Sequence, residues 1–277
     1  MDRIMLFPGK KRKVLTLSYD DGVEQDIRLV EIMKKHGLKG TFNINTNCFA
    51  PEGKVYPEGT IHRRMDAKSA YSLYENNGME VAVHTLTHPH LDKLSPAEVT
   101  REVILDRDNI EKATGKMCVG MAYPYGTTND GVVEVLKNCG ILYSRTTVSR
   151  HNFDIPDDWL RLSATCHHND PNLMELARKF AESRPRWNSQ MFYLWGHAYE
   201  FEANDNWNII EEFAEYLGGR DDIWYATNGG IFKYIKAFKS LETAADGRTV
   251  YNPTLYTLFF ESDGKEFEIK PGETVKI

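Results

Sequence analysis

The chain has 277 residues, 41% of them hydrophobic, which is enough for one large α/β domain or such a domain with a small appendage. A net charge of -6 argues against a polyanion as the main partner, and so excludes the broad basic face of nucleic-acid binders. No apolar run of about 18 residues is present, so no membrane span is expected.

The N-terminus, MDRIMLFPGKKRK, lacks the unbroken apolar stretch of a secretory signal, and a soluble cytoplasmic protein is the expectation. Its basic run, Lys10 to Lys13, reads as a solvated approach to the first strand. Predicted strands then follow at Val14 to Ser18, Gly40 to Ile44, Glu80 to Val83, Val119 to Ala122, Ile141 to Thr146, Leu160 to Thr165, Met191 to Leu194 and Ile223 to Ala226. Between them lie helices ending near His36-Gly37, Asn77-Gly78, Thr114-Gly115, Cys139-Gly140 and Leu217-Gly218, where glycine suits the C-cap. Ser95-Pro96-Ala97-Glu98 has the form of a capping box with proline in the first turn. After Ser240 the pattern changes to strands over Val250 to Phe260 and Lys265 to Ile277, joined by the turn Ser262-Asp263-Gly264, with Pro271-Gly272 marking a second turn. The expectation is therefore a barrel-like unit over 1–240 and a short β appendage over 241–277. Cys48, Cys118, Cys139 and Cys166 form no C-x-x-C pair and read as free thiols.

Parallel strands separated by helices bring their C-terminal ends to one face, where such folds carry their chemistry. The residues at those ends are Tyr19-Asp20-Asp21-Gly22, His84-Thr85-Leu86-Thr87-His88, Tyr123-Pro124-Tyr125-Gly126, Arg145, His167-His168 and Trp195-Gly196-His197. Two histidines four positions apart in a tight turn can face one point, and a carboxylate from another strand completes a three-ligand set with open positions; zinc is the first expectation. Neighbouring side chains of an extended strand alternate sides, so Gly22 is needed for the turn that brings both Asp20 and Asp21 to the site. One can bind metal while the other accepts a proton from water. His197 is the candidate general acid, and the Tyr125 N–H a candidate oxyanion donor. Tyr19, Tyr123 and Trp195 are candidates to stack on a sugar ring, as are Tyr199 and Trp224; core packing is the alternative for each.

Taken together and in order, these motifs resemble the polysaccharide deacetylase family, the NodB-homology domain of carbohydrate esterase family four. Thr16-Leu17-Ser18-Tyr19-Asp20-Asp21-Gly22 is similar to the family's T-F-D-D-G, His84-Thr85-Leu86-Thr87-His88 to H-[ST]-x-x-H, Ala122-Tyr123-Pro124-Tyr125-Gly126 to R-P-P-Y-G, and Leu194-Trp195-Gly196-His197 to the last motif. The resemblance implies a distorted (β/α)₇ barrel, Asp20 as base, Asp21, His84 and His88 as ligands of a divalent metal, and His197 as the catalytic histidine. Ala122 stands where many members have an arginine that orients the base; Arg145 on the next strand is the candidate replacement, an ordinary surface arginine the competing reading. Asp157-Asp158-Trp159 is similar in type to the family's tryptophan-bearing motif, and equally to a loop before a strand.

The implied reaction is removal of an N-acetyl, or less readily O-acetyl, group from an acetylated carbohydrate. Alternatives are another C–N hydrolase of the same superfamily, similar to allantoinases or cyclic-imide hydrolases, and a carbohydrate-binding barrel without catalysis. The intact Asp21, His84 and His88 favour deacetylation.

Overall fold

A computed structural model describes residues 3–277. Along the chain, β1 (Ile4–Leu6) precedes β2 (Lys13–Asp20), α1 (Asp26–Lys35) and β3 (Gly40–Ile44). Then come α2 (Ala67–Asn76), β4 (Glu80–Val83), α3 (Pro96–Thr114), β5 (Gly120–Ala122), α4 (Asp130–Asn138) and β6 (Tyr143–Ser149). The second half runs through β7 (Leu162–Ala164), β8 (Cys166–His167), α5 (Leu173–Glu182), β9 (Gln190–Gly196), α6 (Tyr199–Ala203), α7 (Trp207–Leu217), β10 (Ile223–Tyr225) and α8 (Asn228–Lys239). Five short strands close the chain: β11 (Glu242–Thr243), β12 (Thr249–Tyr251), β13 (Leu258–Ser262), β14 (Lys265–Ile269) and β15 (Thr274–Lys276).

All pairings of the central sheet are parallel, in the order β7-β6-β5-β4-β3-β2-β9-β8. The run Leu162–His167 closes the ring, because its first half pairs with β6 and its second with β9. This is the distorted barrel expected, with β10 paired to the first residues of β2. Every residue of β2 is buried, as a strand covered on both faces requires. Helices dock by apolar stripes: α5 buries Leu173, Leu176, Ala177, Phe180 and Ala181, which share one helical face. No helix among the described residues is long and apolar enough to cross a membrane.

The C-terminal expectation needs correction. Instead of two long strands there are two small antiparallel sheets, β11-β12-β15 and β1-β13-β14. Pro253 interrupts the first expected strand, since proline lacks the N–H a ladder needs, while the turn expected at Pro271-Gly272 separates β14 from β15. The N-terminal β1 also joins this appendage, with Met5 opposite Phe260. Phe260 and Ile269 pack with Phe7, Val14 and Tyr234 in a second apolar cluster, so the appendage is seated on α8 and the base of the barrel. Lys13 departs from the expected solvated approach as well, being only 3% exposed.

The box at Ser95 is formed: Ser95 N–H donates to Glu98 Oε2 at 2.8 Å, and Glu98 N–H to Ser95 Oγ. Ser95→Ala should therefore lower unfolding free energy by about 1 kcal/mol with an unchanged urea m-value. Equilibrium denaturation checks this; an unchanged midpoint would mean the cap contributes nothing.

Candidate active site

β2 delivers Asp20 to the C-terminal end of the barrel, where β3 sets Asn43 opposite it in register. Asn43 Nδ2 donates to Asp20 Oδ1 at 2.8 Å. The other oxygen, Oδ2, accepts from Arg145 Nη2, whose side chain is 1% exposed. Arg145 is thus no surface arginine. It stands on β6 directly opposite Ala122 of β5, the position that lacks the arginine in the third motif. The Trp195 ring covers its guanidinium at 4.4 Å. Burial alone would push the Asp20 carboxyl up, but Arg145, then His84 and His197, hold it below the ordinary carboxylate range.

Asp21 turns back to the same end because its own φ is 86° and that of Gly22 is 65°. At Gly22 the positive φ suits glycine, and an added Cβ would press on Ile44 at 3.2 Å. The Thr85–His88 turn likewise has left-handed backbone at Thr85 and His88. Asp21 Oδ1 lies 4.0 Å from His84 Nε2 and 3.8 Å from His88 Nε2. The three ligand atoms of Asp21, His84 and His88 lie within 4.8 Å of one another. His84 Nδ1 is 2.8 Å from the Ala122 carbonyl and donates to it, so Nε2 carries the lone pair. That Nε2 is buried without a hydrogen-bond partner. Burial also depresses His84 and takes His88 to about 4, which keeps both imidazoles neutral, as metal ligands must be. The donor set fits a divalent cation.

His197 also approaches Asp20, with Nε2 3.8 Å from Asp20 Oδ2. Its Nδ1 is 3.0 Å from Glu200 Oε1, reached across one turn of α6. Burial would lower His197, yet the Glu200 hydrogen bond and the charges of Asp20 and Asp21 raise it. Glu200 Oε2 also lies 3.2 Å from His167 Nε2 and 3.0 Å from His168 Nε2. His167, His197 and Glu200 therefore form a second cluster of ligand-type atoms. The Asn169 N–H donates to His167 Nδ1 at 3.1 Å, which leaves the proton of neutral His167 on Nε2. His167 therefore acts as a hydrogen-bond donor to Glu200, not as a metal ligand.

The aromatic expectations divide. Tyr19 is 1% exposed and packs against His168 and Phe201, so it supports the site from behind and cannot meet a sugar. Tyr123 is equally buried, its hydroxyl donating to the Leu160 carbonyl at 2.7 Å. Trp195 is buried over Arg145, and Trp224 packs on Phe7 and Tyr234 away from the site. These four are corrected to packing roles, because the rings of Tyr19, Tyr123 and Trp195 are covered by protein and half-buried Trp224 packs away from the site. Tyr125 remains at the rim, 56% exposed, its ring stacked on His90 at 3.9 Å and edge-on to His88. Its turn is closed by the N–H groups of Gly126 and Thr127. Tyr199 lies beside His62 and His197. Trp159 packs edge-on to Phe232, and Asp158 caps the turn before β7, so that segment is structural.

Asn43, His62, Arg64 and Glu200 are the site residues that sequence reasoning missed. Arg64 Nη2 is 2.9 Å from Asp21 Oδ1, and His62 Nε2 is 3.1 Å from Oδ2. Burial would raise Asp21, and these two partners hold it far below the ordinary range. Both come from the long connection between β3 and α2, which has no pattern to mark it. Glu200 carried one faint signal, its spacing of three from His197 at the start of a helix.

Comparison with known proteins bears on this geometry. The family model described as polysaccharide deacetylase matches residues 8–144, which include Asp20, Asp21, His84, His88 and Tyr125. A chitin deacetylase from Pestalotiopsis sp is 24% identical over 154 residues, 55% of this chain and 48% of that protein. A chitooligosaccharide deacetylase from Rhizobium leguminosarum bv. phaseoli is 27% identical over 165 residues, 58% of this chain and 63% of that protein. The chain thus spans about half the length of the first and less than two thirds of the second. Among solved structures, a family 4 carbohydrate esterase from Streptomyces lividans in complex with acetate aligns with a TM-score of 0.50 at 21% identity. That alignment covers 77% of this chain and 91% of the other, and bears on the fold.

Removing Arg145 would leave Asp20 a buried charge without its cation. Arg145→Met should cost about 3–5 kcal/mol at neutral pH, and Asp20→Asn combined with it should recover part of that loss. Because Asp20 is held below its ordinary range, the contribution of the pair is full above that range and fades as pH falls through the lowered value. Denaturation of the single and double variants at pH 7 and in acid checks both parts; equal losses at the two pH values would refute the pairing.

Proposed function

The chain belongs to the polysaccharide deacetylase family through residues 8–144, and from that premise we propose that it hydrolyses an N-acetyl group, or less readily an O-acetyl group, of an amino sugar or oligosaccharide. One observation carries the reading: Asp20 Oδ2 lies 3.9 Å from His84 Nε2 and 3.8 Å from His197 Nε2. A base thus stands beside both a candidate metal ligand and a proton donor.

Asp21, His84 and His88 would hold a divalent metal, zinc first among the candidates. When bound it supplies Lewis acidity toward the acyl oxygen and brings the pKa of water towards neutrality. Asp20, kept ionised by Arg145, accepts the proton of the attacking water. The Tyr125 N–H is the proposed donor to the oxyanion that develops on the acyl carbon's oxygen. His197, whose protonated form the Glu200 hydrogen bond favours, gives its proton to the departing amine. Glu200 is a positioning residue here: it fixes Nδ1 of His197 and leaves the opposite nitrogen facing the substrate side. The exposed ring of Tyr125 offers the sugar a stacking face. The acetylated carbohydrate is the proposed partner. A non-acetyl C–N substrate is the second reading, since the same base and acid serve any amide of suitable shape.

Acetate release from acetylated glucosamine oligomers, acetylated xylan and small N-acetyl conjugates tests the proposal. Zinc-loaded protein should release acetate, and Asp20→Asn should lower the rate about 10²–10⁴-fold, the range for losing a general base. His84→Ala should lose both zinc and activity. No release from any acetylated substrate by metal-loaded protein would shift the reading to another amide or to glycan binding. Since His197 must carry a proton and is raised by Glu200, the rate should fall as pH rises through the His197 value. Glu200→Gln should move that alkaline limb to lower pH, with Asp20, His167 and Tyr199 still facing the ring. An unmoved limb would remove Glu200 from the role.

A further inference from the structure

The run Lys10–Lys13, which the proposed reaction does not use, forms one wall of a cavity of about 760 Å³ at the N-terminal end of the barrel. Lys13 opens β2 and Asp20 ends it, so at a strand rise of about 3.3 Å per residue the cavity lies roughly 23 Å from the candidate active site. Arg184 and Arg186, from the loop after α5, and Arg220, from the loop before β10, complete the cationic lining. The lining carboxylates are Asp221 and Asp222, so cations exceed anions here in a chain whose net charge is -6.

Part of this charge has a structural use. Lys13 Nζ, Arg184 Nη1 and Arg220 Nη2 all donate to the Ala181 carbonyl at the end of α5, where the helix dipole is negative. Glu261 pairs with Arg12, Glu266 with Lys10, and Asp222 with Lys13. Arg220 shares Asp222 with Lys13, whereas Arg184 and Arg186 have no carboxylate partner among the described residues. Arg184 donates through Nη1 to the backbone carbonyls of residues 181–183, which carry no full charge. Among the described residues the Arg186 guanidinium has no partner, only its backbone carbonyl accepting from Arg12. Arg220 Nε, 3.5 Å from Asp222 Oδ1, is buried without a hydrogen bond. Burial lowers Lys13, Asp222 opposes that effect, and Arg184 and Arg220 add a weaker lowering of their own.

We propose that this cavity binds a phosphate-bearing ligand, its oxygens taken by the guanidinium groups of Arg184, Arg186 and Arg220. Planar guanidinium groups match phosphate oxygens in pairs, and more than one uncompensated cation favours a dianion over a carboxylate. The volume suits a small phosphorylated molecule. Trp187 follows Arg186 directly and is 86% exposed, so the same loop offers an aromatic face beside its cations. The inference is independent of the proposed deacetylation.

Calorimetric titration of the full chain with inorganic pyrophosphate at fixed ionic strength tests it. Arg184 and Arg186 are exposed, so their replacement should leave the fold and any acetate release unchanged. Wild type should bind, and the double variant Arg184→Ala with Arg186→Ala should bind at least about tenfold more weakly, the equivalent of about 1.4 kcal/mol. His84→Ala should bind as wild type does. Pyrophosphate binding lost in His84→Ala but kept in the arginine variant would assign the anion to the other end of the barrel and overturn the proposal. Absence of binding to wild type would overturn it also, as would capture by phosphatidylglycerol vesicles without pyrophosphate binding. A monomeric sugar phosphate and a polyphosphate chain, titrated in parallel, distinguish a small metabolite from a phosphate-bearing polymer; tighter binding of either supports the cavity.

Discussion

The buried pair of Asp20 and Arg145 is the constraint around which the candidate site is arranged. An ionised carboxylate at 2% exposure costs several kcal/mol in desolvation unless a cation and hydrogen bonds accompany it. Arg145 supplies the charge, Asn43 the hydrogen bond, and Trp195 a ring over the guanidinium. Each partner comes from a different strand, so the pair can exist only when β2, β3, β6 and β9 have closed around it. The barrel and the ionised base therefore require each other.

Burial then sorts the three histidines that surround the pair. His84 and His88 are depressed and present lone pairs, whereas at His197 the Glu200 hydrogen bond and the charges of Asp20 and Asp21 outweigh burial and favour the protonated ring. Asp20 thus has His84 prepared for a cation and His197 for proton donation, at separations near 4 Å. The difference arises from what each ring's second nitrogen touches: a neutral carbonyl at His84, a carboxylate at His197. Glu200 can serve His197 because Gly196 has no Cβ; one would lie 2.0 Å from His168 Nδ1 and force apart the layer in which Glu200 sits.

Backbone in the left-handed region is concentrated at this same end of the barrel. Asp21, Thr85, His88 and Tyr125 all have positive φ, which non-glycine residues adopt at a cost. These turns aim side chains that an extended strand would send to alternate faces. At the other end of the barrel Lys10, in the wall of the basic cavity, is the non-glycine residue with positive φ, and polar groups there cap helices.

Much of this was legible in the sequence, because hydrophobic period and glycine position are local properties. The alternation of strands and helices, the capping box at Ser95, and the convergence of Asp20, Asp21, His84, His88 and His197 at strand ends could all be read without coordinates. Arg145 was legible only as a candidate, since its meeting with Asp20 joins residues 125 apart through the register of β5 and β6. Asn43 and Arg64 were not legible, Glu200 only through its spacing from His197, and Tyr19, Tyr123 and Trp195 were misread as substrate contacts. Sequence by itself determined which residues stand at the strand ends; tertiary structure decided which of them meet and which are covered. The physical reason is that periodicity is fixed within a strand, while burial and ion pairing depend on neighbours that only closure of the barrel supplies.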